Sequence, residues 1–316
     1  LFLQKGAHAK KESISEDIMT VALNGLACKI KPAAIKHALS LGYSLDDALK
    51  AAAEHNDIDA TRILCEQDLA AGGRVLIAAA ESGNKDIVAS LLHVTGINVN
   101  AHNELGNTSL MLAAGNGHGD IVAQLLSVPD IAVNATARHN QTALMYAASR
   151  GHGAIAKQLL EFPGINVNAR DSQGKTAFDL FKFTSLADAA VLELFLLKGA
   201  ATELRKHANT ATRIPEGIMK AALINLACKG NIDAIAHAHS LGYSLYVALV
   251  AVAEQGNMAA IKILCAQDPS AGSKLLTSAI TSSNIVLAKQ LLGLPGIRVN
   301  AHNELGNTSL MLAAGN

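Results

Sequence analysis

The residues that could do chemistry are scattered rather than gathered. The sequence holds twelve His and four Cys. His237-Ala238-His239 has the composition of a metal pair, yet residues two apart on a helix point to different faces. The matching position 200 residues earlier is Leu39, so the pair reads as no metal site. The adjacent carboxylates Asp46 and Asp47 could serve as acid and base. Tyr246 and Val247 stand at their matching positions, which excludes an active site present in both copies. Acids suit the first turn of a helix, where the N-terminal dipole favours them. For Cys28, Cys228, Cys65 and Cys265 the sequence shows no convincing cationic or His neighbour that would lower a thiol pKa. They read as small buried hydrophobes. Gly106 and Gly174 belong to turns, and no glycine-rich phosphate loop follows a strand. There is no Gly-x-Ser-x-Gly elbow, no His-Glu-x-x-His and no Cys-x-x-Cys. These residues predict a chain with no catalytic residues, no metal, no cofactor and no small-molecule substrate.

Composition narrows the field further. Of 316 residues, 50% are apolar and 16% charged, and Lys plus Arg equal Asp plus Glu at 26 each. That is the composition of a folded chain. Aromatics are 3% and Trp is absent, so the core must come from Ala, Leu, Ile and Val, which points to close-packed helices. Zero net charge argues against nucleic acid as a partner, because such binders carry a basic face. It argues equally against a polybasic membrane anchor. No apolar run approaches the roughly 18 residues that span a bilayer, and no signal peptide is visible. Four Cys make no disulfide framework, which favours a reducing cytoplasm.

Internal repetition is the strongest signal. Thr108, Thr142 and Thr176 stand 34 apart. The first two are each followed by an Ala-rich segment, a Gly-His pair (Gly117-His118, Gly151-His152) and Ile-x-x-x-Leu-Leu (from Ile121 and from Ile155). The three-and-four spacing of apolar residues predicts two short helices joined by a tight turn, followed by an extended excursion. This pattern resembles the ankyrin repeat, a helix pair with a projecting β-hairpin finger in each unit of about 33 residues. The family's Thr-Pro-Leu-His becomes Thr108-Ser109-Leu110-Met111 and Thr142-Ala143-Leu144-Met145. The loss of His there removes the ring-nitrogen hydrogen bond usual between units, and Met fills the space by packing. Asn140 stands where the family has Gly, as Asn tolerates positive φ. His118 and His152 are structural by the same resemblance. The Met-for-His pattern looks like that of bacterial ankyrin proteins, some of which act in the host cytosol.

A longer period lies above the short one. Residues 100–116 are identical to 300–316, and Cys28 and Cys65 recur as Cys228 and Cys265. The resemblance and this offset of 200 predict an all-α solenoid with short β-hairpin fingers in its regular repeats, organised as follows. Residues 1–7 are the second helix of a preceding repeat and 8–17 a linker. Residues 18–200 form a first module of units 18–42, 43–69, 70–99, 100–133, 134–167 and 168–200, the first two with trimmed fingers. Residues 201–217 are a second linker, and 218–316 begin a second module with units 218–242, 243–269, 270–299 and a truncated 300–316. Neither end reads as a cap, so the chain is expected to be a window on a longer array or to have covered ends. Phe178, Phe181 and Phe183 follow Thr176, resembling a terminal ankyrin unit, and are expected to close the regular stretch and form a joint.

In the family the contact surface is the finger tips and the exposed side of the first helix. By register the tips are Glu104, Leu105 and Asn107; Arg138, His139 and Gln141; and Ser172, Gln173 and Lys175. His102 and His302 lie near tips too. Leu112, Asn116, Tyr146, Ser149 and Arg150 face the same groove. Arg138, Tyr146 and Arg150 are the leading candidates, since Tyr and Arg are enriched at binding hot spots. The resemblance implies a non-enzymatic scaffold that grips a protein partner through its concave groove, with no nucleic acid or membrane involved. Two alternatives carry their own predictions: an array that assembles with copies of itself, and the binding arm of a larger bacterial effector enzyme.

Overall fold

A computed structural model describes residues 16–28, 32–43, 45–200, 214–302 and 306–315. The helix expected over residues 1–7 and most of the two linkers lie outside the described residues. The chain divides into two compact units, Leu1–Gly174 and Lys175–Asn316.

In the first unit the helices are α1 (Glu16–Cys28), α2 (Pro32–Ser40), α3 (Asp46–Glu54), α4 (Ile58–Gln67), α5 (Leu69–Ser82), α6 (Lys85–Leu92), α7 (Ser109–Asn116), α8 (Gly119–Leu126), α9 (Ala143–Ser149) and α10 (Gly153–Glu161). They come in pairs. First helices pack on first helices, α5 on α7 and α7 on α9, and second helices on second helices, α4 on α6, α6 on α8 and α8 on α10. Leu110, Leu144, Ile121, Leu125, Leu159 and Leu160 fill the layers between pairs. Ala113, Ala114, Ala147 and Ala148 are fully buried, and their lack of bulk lets α7 and α9 approach. Met111 and Met145 are also buried, occupying the place of the family's His.

Local sequence explains each helix end. Thr108 Oγ1 accepts from Met111 N–H and Thr142 Oγ1 from Met145 N–H, satisfying donors that a helix start otherwise leaves unpaired. Gly83 and Gly117 end α5 and α7 in the left-handed region, at φ +82° and +85°. Asp68 serves two helices: its N–H closes α4 on Leu64 O, while Oδ1 accepts from Ala70 and Ala71 N–H to start α5. With one residue between α4 and α5, no room remains for a finger.

The second unit contains α11 (Ala177–Leu180), α12 (Ala189–Leu197), α13 (Glu216–Cys228), α14 (Ile232–Ser240), α15 (Tyr246–Glu254), α16 (Met258–Gln267), α17 (Pro269–Thr281), α18 (Ile285–Leu292) and α19 (Ser309–Gly315). From α13 onward, every helix starts 200 residues after its counterpart from α1 to α7. Asp268 repeats the double role of Asp68. After Thr176 the expected first helix is only one turn, because the chain turns extended at Phe181 (ψ 127°). Phe178, Phe181 and Phe195 are buried, with the Phe178 and Phe195 rings edge to face at 5.3 Å. Lys229 pairs with the buried carboxylate of Glu193.

The expected β-hairpins are absent among the described residues. The fingers are turns with at most one antiparallel bridge, His102 to Thr108 and His302 to Thr308. The cause is local. Asn103 Oδ1 accepts from Leu105 and Asn107 N–H, and Asn103 N–H donates to Asn107 O. The backbone bond belongs to the bridge itself, and the Asn103 side chain takes the Leu105 and Asn107 N–H groups, so pairing goes no further into the tip.

Candidate functional site

The fingers of the first unit are joined to one another by backbone. Arg138 N–H donates to Leu105 O at 2.9 Å and Ser172 N–H to His139 O at 2.8 Å. His139 and Asn140 hold positive φ, 66° and 58°, which aims the His139 carbonyl at the next finger. Glu104, Leu105, Arg138, His139, Ser172 and Gln173 are exposed, and Gln141 is half-buried. Leu105 is 50% exposed, an aliphatic side chain left in solvent at a tip.

Several residues expected on the contact surface also tie neighbouring units together, while Asn116, Ser149 and Arg150 stay exposed. Asn107 is buried, not a tip. The inward fold of the Asn103 turn carries it under the finger, where Asn107 Oδ1 accepts from Tyr146 Oη at 2.8 Å. Tyr146 is half-buried, its ring against Gly115, and its carbonyl accepts from Ser149 Oγ. Arg150 Nη1 donates to Asn116 Oδ1 at 2.9 Å and to Gly115 O, while Asn116 Nδ2 donates to Glu81 O. One chain of hydrogen bonds thereby crosses three units. Leu112 is half-buried on the same side. Lys175 falls in the second unit, is exposed and is already engaged.

Tyr146→Phe is therefore expected to cost stability rather than contact. It leaves the buried Asn107 amide oxygen without its donor, about 1–2 kcal/mol. Urea unfolding checks this, and a double mutant with Asn107→Ala should lose less than the sum of the two single losses.

Two further sets of inter-unit bonds escaped the sequence. His118 Nε2 lies 3.1 Å from Glu81 O and His152 Nε2 3.0 Å from Gly115 O. A carbonyl only accepts, so each ring donates from Nε2. These inter-unit ring-nitrogen bonds come from the Gly-His turns, Gly117-His118 and Gly151-His152. Asn100 brackets the next loop, with Nδ2 donating to Asp130 O and Oδ1 accepting from Ala132 N–H; Asn134 does the same with Gly164 O and Asn166 N–H. The period of 34 in Asn100, Asn134 and Asn168 was the signal that could have found them.

The metal-like pair is divided. His237 Nε2 donates to Ala200 O at 2.8 Å, whereas His239 is exposed. Among the described residues no three His, Cys, Asp or Glu are grouped to hold a metal ion, and no helix is long and apolar enough to cross a membrane.

The cysteines differ from the expectation at one position. Cys65 and Cys265 are buried, but Cys228, in the last turn of α13, is exposed, with Asn257 Nδ2 donating to its sulfur. The side chain of Cys28 lies outside the described residues. Burial, reinforced by Asp68 and Glu66, pushes the Cys65 thiol from 9.0 up to about 12. Burial and then Asp268 push Cys265 up to about 11. Below pH 9 these thiols are protonated whether the chain is folded or unfolded. Above it the unfolded chain releases their protons and the folded chain does not, so stability is lost as pH rises from 9 toward 11–12. Alkylation with mass mapping at pH 8 should modify Cys228 first and leave Cys65 and Cys265 protected until unfolding. Equal labelling would contradict their burial.

Stacked helix pairs with linked fingers define a class of protein, the helical repeat array. Residues 76–171 match the family model for ankyrin repeats, in three copies, and this stretch is an ankyrin-repeat array. Comparison with curated proteins gave no significant match. Ankyrin repeats are in general protein–protein interaction modules and non-catalytic.

Proposed function

We propose that the first unit is a scaffold that binds a partner protein along its finger tips, with the concave side of α7 and α9 as the floor. The observation that carries this reading is the pair of finger-to-finger backbone bonds, Arg138 to Leu105 and Ser172 to His139. They order the tips before any partner arrives, which lowers the entropy cost of binding. Leu105 supplies apolar area, and Glu104 and Arg138 supply opposite charges beside it. Tyr146, Arg150, Asn107 and Asn116 contribute by holding the floor in shape.

A photo-crosslinking residue placed at His139 should capture a partner in cell extract, while the same residue at Ala123, exposed on α8, should not. Leu105→Glu with Arg138→Glu should abolish the capture while leaving the helical circular dichroism intact. Equal capture from both positions, or capture unaffected by the double variant, would remove the fingers from the interface. A second reading, self-assembly of tandem modules, is favoured by the helix starts that recur after 200 residues. Sedimentation velocity separates the two, since a concentration-independent monomer opposes self-assembly.

A further inference from the structure

The second unit carries a groove of about 1120 Å³ between the end of α14, the start of α17 and the loop that follows α18. Lys274 and Arg298 line it, together with the imidazoles of His239 and His302. All four side chains are exposed, and none has a hydrogen bond or ion pair with another described residue. Among the described residues the one acid in the lining is Asp268. It is buried, and its Oδ1 is taken up by Ser270 N–H, Ala271 N–H and Ser270 Oγ. Two fixed cations, Lys274 and Arg298, thus stand in the lining beside one buried carboxylate whose Oδ1 is already taken. Val299, 49% exposed, adds an aliphatic wall.

The same place in the first unit is built differently. Leu39 stands for His239 and Asn98 for Arg298, and Arg74, in place of Lys274, already has a partner. Two copies of one local fold thus differ at His239 and Arg298, while position 274 carries a cation in both.

We propose that this groove binds an acidic segment of a partner protein, Glu- or Asp-rich with interspersed aliphatic residues. The proposal rests on the scaffold reading but concerns a separate surface. Arg298 presents a planar fork suited to a carboxylate and Lys274 a point charge. The exposed Val299 and the zero net charge of the chain favour such a peptide over a nucleic-acid backbone, which selects for broad positive fields.

The test is fluorescence anisotropy on the full chain, with a short labelled peptide of alternating Glu and Leu. Its Gln-for-Glu counterpart and a single-stranded oligonucleotide of equal charge serve as competitors. The Glu peptide should bind at least about tenfold more tightly than the Gln peptide. Lys274→Gln with Arg298→Asn should remove that difference while leaving the circular dichroism unchanged, since both side chains are in solvent. Equal binding of the Glu and Gln peptides, unchanged binding by the double variant, or tighter binding of the oligonucleotide would overturn the proposal. None of these results depends on the fingers of the first unit, so loss of capture at His139 would count against the scaffold reading alone.

Discussion

Leu144→Ala should destabilise the first unit by about 3–5 kcal/mol, the largest loss expected from a single truncation. Leu144 is fully buried, in the first turn of α9 where α9 packs on α7. Its removal forfeits transfer free energy and leaves a cavity, the pair of effects that makes buried Leu-to-Ala changes cost this much. The α7 and α9 helices that pack here hold their own buried faces in place, so collapse into the space is limited. Each pair in such an array covers its neighbours' apolar faces, so the damage should be local. Hydrogen exchange should accelerate in α7 through α10 while α1 to α4 keep their protection. Uniform acceleration across the unit would mean that it unfolds as one body, contrary to a nearest-neighbour array.

Gly83→Ala should cost about 2–4 kcal/mol, more than a surface turn normally would. One part is backbone: φ is +82°, a region in which a side chain is strained by about 1–3 kcal/mol. The other part is a collision between units. A Cβ on Gly83 would stand 2.6 Å from Cε1 and 2.8 Å from Nδ1 of His118. The ring must move, and with it goes the bond to Glu81 O, worth about 1 kcal/mol. Gly83→Ala combined with His118→Ala should recover the collision but not the backbone strain. Thermal unfolding of the single and double variants measures both. If the double variant is no more stable than the sum of its parts predicts, Gly83 and His118 are not coupled.

That coupling shows where reading the sequence stops. Gly117 and His118 are adjacent in the chain and recur as Gly151 and His152, so their importance was visible. Their partners were not. His118 sits over Gly83 of the preceding unit, and Gly117 lies beneath His152 of the following one, 3.0 Å from a Cβ built on it. Tyr146 and Arg150 tell the same story from the other side. Their residue types and register marked them as contacts for a partner, and packing instead engaged them with Asn107, Asn116 and Gly115. Register along a helix says which side a residue faces. It does not say whether the neighbouring unit has already claimed it.

The fingers diverge for a different reason. Asn103 and Gly106 signalled a turn, and the family likeness suggested a hairpin around it. Whether a turn extends into paired strands depends on where its backbone donors go, and here the Asn103 side chain takes two of them. Cys228 diverges from Cys265 because Gly272 of the next helix packs against the Cys265 sulfur, whereas Cys228 is left exposed in the last turn of its helix.

Helix placement, the period of 34, the 200-residue recurrence and the Ala-rich contacts were all written in the chain, because each follows from propensity, capping and the spacing of apolar side chains within some ten consecutive residues. The hydrogen bonds between units, the burial of Asn107 and the surroundings of the second unit's groove were decided only by stacking. They join residues about a repeat apart or more, and the geometry that brings such residues within 3 Å exists only once the faces of successive pairs are buried against each other.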